Sequence, residues 1–127
     1  MAAEFDHILI VVKDLERSIE FYKLLGFEHL ETLQRPNDRV AALRMGETKV
    51  ELMNLPPGKE TYRAPRKLSD TGFRHIGFRV KDVQVVYERL KDRIRFDSPP
   101  KATAGRGNRM IVFFRDPDGV EMHFVQE

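Results

Sequence analysis

An internal repeat limits the folds available to this sequence. The segment from Phe5 to Asp14 reads FDHILIVVKD, and the segment from Phe73 to Asp82 reads FRHIGFRVKD. Both fit the pattern F-x-H-I-x-x-x-V-K-D, and they lie 68 positions apart in a chain of 127 residues. Duplication of one unit is the simplest explanation of such self-similarity. The sequence therefore predicts a fold built from two copies of one supersecondary unit.

Each copy is predicted to begin with a strand that leads into a helix. The runs from His7 to Val12 and from Ile76 to Val80 are rich in β-branched and apolar residues. Asp14 and Asp82, which follow these runs, are suitable helix N-caps. Three further strands are predicted in each copy, at about 27–34, 40–45 and 49–54, and at 94–96 and onward, 109–114 and 120–125. Both copies then read βαβββ, joined by a polar linker at about 56–72.

The composition excludes several classes of function. Without cysteine, the chain cannot form disulfides, zinc fingers, iron–sulfur clusters or a thiol nucleophile, and the absence fits a reducing cytoplasm. The 22 basic and 20 acidic residues leave a net charge of +2, with no basic cluster of the kind that binds nucleic acid. No run approaches the roughly 18 apolar residues of a membrane span, and the N-terminus lacks a signal-peptide pattern. We expect a cytoplasmic protein that binds neither nucleic acid nor membrane.

The histidines are the strongest candidates for a functional site. His7 and His75 occupy equivalent positions in the two copies, so their imidazoles should converge if the copies pack about a pseudo-twofold axis. Glu51 and His123 each interrupt an apolar run on the last predicted strand of a copy. A carboxylate placed against a core needs a partner, and a divalent cation would be one. Together His7, Glu51, His75 and His123 form an N3O donor set suited to Zn, Ni, Mn, Fe or Co. The fourth histidine, His29, is expected at the surface.

These features resemble the vicinal oxygen chelate superfamily. The similar elements are the βαβββ duplication, the histidine that opens each copy, the Val-Glu-Leu sequence around Glu51 and the Arg-Asp-Pro-Asp-Gly turn that ends at Gly119. The group includes glyoxalase I, extradiol dioxygenases and bleomycin-resistance proteins, and the glyoxalase I-like branch is the most similar. The resemblance covers essentially the whole chain. It implies an α+β fold in which two tandem βαβββ modules, about 5–55 and 73–127, form one domain over residues 1–127. In that fold a curved, cup-like, eight-stranded mixed sheet carries its helices on the outside.

The resemblance also implies where the metal ligands lie. The family places them on the first and last strands of each module, which correspond here to His7, Glu51, His75 and the fourth residue after Gly119. That residue is His123, where the family usually has a glutamate. Glu121, two residues earlier, is the competing ligand if the register differs. We expect His123 because the turn fixes the count.

The function implied is that of a metal-dependent lyase or isomerase of the glyoxalase I type. The metal would polarise the carbonyl of a small oxo substrate, and a base would move a proton from the neighbouring carbon. Glu51 is the only carboxylate in the expected ligand set and is the candidate base, with His123 second. The histidine at 123 leaves an O2-dependent, extradiol-like dioxygenase as an alternative. A metal-free small-molecule binding or resistance protein is a third. A homodimer is expected, as for other family members with two modules, because exposed sheet edges favour pairing.

Overall fold

The computed structural model of the protein describes residues 2–56, 67–105 and 107–127. The chain divides into two compact units, Met1–Arg63 and Ala64–Glu127. The first unit contains β1 (Ile8–Val11), α1 (Leu15–Leu25), β2 (Glu28–Gln34), β3 (Arg39–Met45) and β4 (Thr48–Asn54). The second contains β5 (Ile76–Val80), α2 (Val83–Leu90), β6 (Arg95–Phe96), β7 (Lys101–Thr103), β8 (Arg109–Arg115) and β9 (Glu121–Gln126). Most of the predicted linker, residues 57–66, lies outside the described residues.

The two units repeat the same strand arrangement. The first sheet has the order β1-β4-β3-β2, and the second has the order β5-β9-β8-β6, with β7 also paired to β8. In each unit the first strand runs parallel to the last, and the remaining pairs are antiparallel. The predicted α+β class is confirmed, since the described residues form two helices with sheets of four and five strands.

The second unit has one short strand more than the sequence predicted. Where the first unit has the seven residues of β2, the second has β6 and β7, which pair in succession with β8. Pro99 and Pro100 lie between them. A proline has no backbone N–H to donate to a neighbouring strand, so two in succession interrupt the ladder.

Both helices begin where the repeat predicts. The Asp14 carboxylate accepts a hydrogen bond from the Arg17 backbone N–H at 3.1 Å, and Asp82 accepts one from Val85 at 3.2 Å. These caps satisfy N–H groups that have no partner within the helix. The first helix ends at Gly26, whose φ of 113° is a left-handed conformation that glycine adopts without strain.

Strand alternation separates an apolar face of each sheet from a face that carries the polar candidates. Val50 and Leu52 of β4 are fully buried, whereas Glu51 between them points to the other face. In β9, Met122 and Phe124 are buried and His123 lies between them. The Phe124 ring stacks on Phe114 with centroids 4.5 Å apart. The apolar contacts on one face therefore fix which side of the sheet Glu51 and His123 occupy.

A tight turn sets the start of β9. The Gly119 N–H donates to the Asp116 carbonyl at 3.0 Å, as the Asp-Pro-Asp-Gly motif predicts for a type I turn. The buried Asp116 carboxylate accepts from the N–H groups of Asp118 and Val120 at 2.9 and 2.8 Å. The turn thus fixes the start of β9 at Glu121, two residues after Gly119. Neither described helix is long and apolar enough to cross a membrane.

Candidate functional site

His7 and Glu51 meet at the start of the first sheet. In the parallel pair of β1 and β4, Leu9 lies opposite Glu51. His7 precedes Leu9 by two residues and therefore shares its face. The Nε2 atom of His7 is 3.0 Å from Oε2 of Glu51. Two ligand atoms at about 2.1 Å from one ion in a tetrahedral site are about 3.4 Å apart, so this pair would have to separate only slightly to share a divalent cation.

Asp6 holds the other nitrogen of His7. The Nδ1 atom donates to Oδ2 of Asp6 at 2.7 Å. This hydrogen bond is the main reason that the pKa of His7 lies above its usual range, and the negative charge of Glu51 adds to it. The same bond lowers the pKa of Asp6, and the positive charge of Lys49 is the second cause. Asp6, His7 and Lys49 thus form an interacting charged group at the solvent-exposed end of the sheet.

In the second unit His75 contacts the carboxylate of Glu121. The Nδ1 atom of His75 is 2.9 Å from Oε2 of Glu121. Arg74 approaches the same oxygen at 3.5 Å, and Arg115 approaches Oε1 at 3.6 Å. Only 15% of the Glu121 side chain is exposed, so this carboxylate is largely enclosed by positively charged groups. A hydrogen bond through Nδ1 leaves Nε2 of His75 for another role.

The Nε2–Cδ2 edge of the His123 ring approaches a glycine of the neighbouring strand. Gly77 is opposite His123 in the pair of β5 and β9, and a Cβ atom at Gly77 would stand 2.6 Å from the Nε2 atom of His123. The ring also contacts His75 and Phe113, with centroid distances of 4.5 and 5.1 Å. The absence of a side chain at Gly77 therefore makes room for the imidazole beside His75.

The strand register bears on the choice between Glu121 and His123. Leu9 and Gly77 are equivalent in the repeat, being 68 positions apart, and they lie opposite Glu51 and His123 respectively. Glu51 and His123 therefore occupy equivalent places in the two sheets. By the same count Glu121 is equivalent to Lys49.

The predicted ligands are thus found in two pairs, His7 with Glu51 and His75 with His123. Among the described residues, no three histidine or acidic side chains are arranged as a ready metal site. The donor chemistry of each pair nevertheless fits a divalent transition metal, since imidazole nitrogen and carboxylate oxygen are its usual ligands in a chain without cysteine. The convergence of His7 and His75 stays a prediction. His29 is exposed, as expected, with Nε2 2.8 Å from the Thr32 hydroxyl.

Sequence reasoning missed the residues that support these histidines. Asp6 and Arg74 precede the two histidines at the variable position of the repeat, and they carry opposite charges. That inversion was a visible signal. A second signal was Gly77, which stands where the first copy has Leu9. A glycine within a strand often marks the close approach of another group.

Comparisons with known proteins identify the family of the chain. Residues 4–124 match the model of the Glyoxalase/Bleomycin resistance protein/Dioxygenase superfamily. A lactoylglutathione lyase of Neisseria meningitidis serogroup A is 30% identical, and the alignment spans 95% of this chain and 88% of that protein.

Solved structures show the same fold. The glyoxalase family protein from Enterococcus faecalis superposes with a TM-score of 0.80 at 26% identity, over 97% of both chains. Glyoxalase I from Zea mays superposes with a TM-score of 0.80 at 28% identity, over 96% of this chain and 44% of the maize chain. The chain belongs to the Glyoxalase/Bleomycin resistance protein/Dioxygenase superfamily, the group that its repeat and its histidines resembled.

Proposed function

We propose that the protein is a metal-dependent lyase or isomerase of the glyoxalase I type that acts on a small oxo substrate. The observation that carries this proposal is the equivalence of the two pairs, because each unit presents a histidine beside a second donor at the same place in its sheet. A protein that only binds a small molecule does not need two such pairs. The name of the Neisseria relative supports lactoylglutathione as the first substrate to test.

The proposed ligands are the four predicted from the sequence. His7 and Glu51 would be donors from the first unit, and His75 and His123 from the second. A Zn, Ni, Mn, Fe or Co ion held by such donors would polarise a substrate carbonyl and favour loss of a proton from the adjacent carbon. The assignment of His123, rather than Glu121, is supported by the register and by the contacts that already engage both oxygens of Glu121.

Glu51 is the proposed base. Its Oε2 atom faces His7, so Oε1 is the atom available to take a proton from the substrate carbon and return it to the next atom. Its neighbours on the same face include Leu9, Ala42 and Met53, and 33% of its side chain is exposed to a substrate. His123 is the second candidate.

Elemental analysis of the purified protein is the first test, with His75→Ala as the variant and His29→Ala as the matched control. We expect about one equivalent of a divalent metal in the wild type and in the control, and much less in His75→Ala. Turnover of lactoylglutathione should follow the metal content. A wild type that neither retains metal nor binds added metal would overturn the proposal and favour a metal-free binding protein. Full retention by His75→Ala would overturn the ligand assignment.

A dioxygenase is the second candidate because of one observation. The donor set has three imidazoles and one carboxylate, since a histidine stands at position 123 where the family usually has a glutamate. Such nitrogen-rich sets suit iron as well as zinc. Oxygen consumption by the iron-loaded protein with a catechol would favour this function, and turnover of lactoylglutathione without oxygen uptake would exclude it.

We further propose that the protein is a cytoplasmic homodimer. All seven residues of β2 are exposed, and β2 is an edge strand of the first sheet. An edge strand has unpaired backbone groups that another chain can satisfy. Analytical ultracentrifugation should give a mass near twice 14.8 kDa, and a value near 14.8 kDa at all concentrations would contradict the dimer.

A further inference from the structure

The strand-opening histidines are both held through Nδ1 by a carboxylate, but the carboxylates come from different places. Asp6, the residue before His7, accepts from its Nδ1 at 2.7 Å. Glu121, on the last strand of the second unit, is 2.9 Å from Nδ1 of His75. The repeat position equivalent to Asp6 is Arg74, which cannot accept a hydrogen bond. In the second unit the acceptor is therefore a residue of another segment, Glu121 on β9.

The charges around the two histidines are the inverse of one another. In the first unit the acid is Asp6, the residue before the histidine, and the positive charge of Lys49 on β4 lowers the pKa of Asp6. In the second unit the base is Arg74 before the histidine, and the acid is Glu121 at the position equivalent to Lys49. Acid and base have exchanged positions, and in both units the imidazole donates to the acid. Such an exchange keeps the local charge balance and the hydrogen bond while changing both residues.

We propose that Glu121 is a positioning residue for His75, held by Arg74 and Arg115, and that it is the charge-inverted counterpart of Asp6. A carboxylate with a cation at each oxygen has a fixed orientation and accepts the Nδ1–H of His75. The neutral ring is then kept in the tautomer that leaves a lone pair on Nε2. For a histidine that binds a metal, such a partner orients the ring and raises its affinity. This last consequence rests on the proposed function, whereas the tautomer does not.

The test uses the 127-residue protein with 15N-labelled histidine, first without metal. Two-bond 1H–15N correlation spectra, at a pH where the imidazole is neutral, distinguish the Nδ1–H tautomer from the Nε2–H tautomer. We expect wild-type His75 to be mainly Nδ1–H and Glu121→Gln to shift it toward Nε2–H. Glu88→Gln, which removes the same charge from an exposed pair with Lys91 in the same unit, is the control and should leave His75 unchanged.

The charge inversion permits a rescue experiment. Glu121→Lys alone should abolish the Nδ1–H preference. Adding Arg74→Asp recreates around His75 the arrangement that surrounds His7, so the double variant should restore most of the preference. Zn2+ affinity, measured by competition with a chelator, should fall about 10–100-fold in Glu121→Gln and recover in the double variant relative to Glu121→Lys.

The two readouts separate this proposal from the proposed function. A His75 tautomer that is the same in Glu121→Gln and in the Glu88→Gln control would overturn the positioning role, whatever the metal content. A double variant that folds and shows no recovery would overturn the exchange of acid and base. A protein that binds no Zn2+ but shows the expected tautomer changes would contradict the metal-dependent function and leave the positioning role supported.

Discussion

Gly77→Ala is predicted to disturb the second unit through a single imidazole. The added Cβ would stand 2.6 Å from Nε2 and 2.9 Å from Cδ2 of His123, closer than carbon contacts allow. The ring has little freedom to retreat, because His75 and Phe113 pack against it with centroid distances of 4.5 and 5.1 Å. Either the imidazole turns away from its position or the strands β5 and β9 move apart.

Two opposing contributions determine the size of the effect. A glycine replaced by alanine in compatible backbone stabilises a protein by about 0.4–1 kcal/mol, because the unfolded chain loses freedom. Overpacking of a well-filled site destabilises by about 1–3 kcal/mol. The clash with an aromatic ring held on two sides is expected to dominate, which leaves a net loss of about 1–2 kcal/mol in the free energy of unfolding. At about 4 °C per kcal/mol for a chain of this size, the melting temperature should fall by about 4–8 °C.

Urea unfolding followed by circular dichroism measures the change directly, and the chain offers a matched control. Among the described residues, and apart from its two chain neighbours, Gly105 has no atom within 4 Å of a Cβ built on it, and its φ is not left-handed. Gly105→Ala should therefore be neutral or slightly stabilising. In a His123→Ala background the Cβ at position 77 has room, so Gly77→Ala should become slightly stabilising, by about 0.4–1 kcal/mol. The double-mutant cycle should then give a coupling of about 1.4–3 kcal/mol. An equal penalty with and without the His123 ring would refute a clash between position 77 and this ring.

Three further predictions concern single residues. Glu51→Gln should keep the circular dichroism spectrum and lower the kcat for lactoylglutathione by about 100-fold or more, and an unchanged kcat would remove Glu51 as the base. Asp14→Ala and Asp82→Ala should each lower the free energy of unfolding by about 1 kcal/mol in urea, whereas the exposed, non-capping Asp92→Ala should not. Asp116→Ala should lower it by about 2–3 kcal/mol because two backbone N–H groups of the turn lose their acceptor, and a loss below that of the helix caps would contradict this role.

The repeat was sufficient to predict the order of the elements because each signal is local. The caps Asp14 and Asp82 and the turn ending at Gly119 depend on residues a few positions apart, and all three are present in the structure. The division of the predicted strand after Ile94 into β6 and β7 was missed, although Pro99 and Pro100 were visible. The apolar run indicates a strand, but only pairing with β8 shows where its hydrogen bonds stop.

The candidate site was less accessible to sequence reasoning because it depends on contacts between distant segments. The contact between His75 and Glu121 joins residues 46 positions apart. Alternation along β9 places Glu121 and His123 on one face, so the sequence presents them as competitors for one role. How each of them contacts His75, and through which atoms, follows from the register of β5 against β9 and from the space that Gly77 leaves.

Glu121 and His123 differ in position and contacts, so they need not compete for one metal-ligand role. His123 occupies the place equivalent to Glu51, and its ring needs the space that Gly77 leaves. Glu121 occupies the place equivalent to Lys49, and its contacts with two arginines and Nδ1 of His75 engage both of its oxygens. A glutamate two residues before a histidine on the last strand can thus orient one imidazole while the histidine provides another. Exchanging the two residues, as in Glu121→His combined with His123→Glu, should therefore not preserve the site, although the composition of β9 is unchanged. The exchanged protein should lose the Nδ1–H preference of His75, and retention of that preference would show that position along the strand does not decide the role.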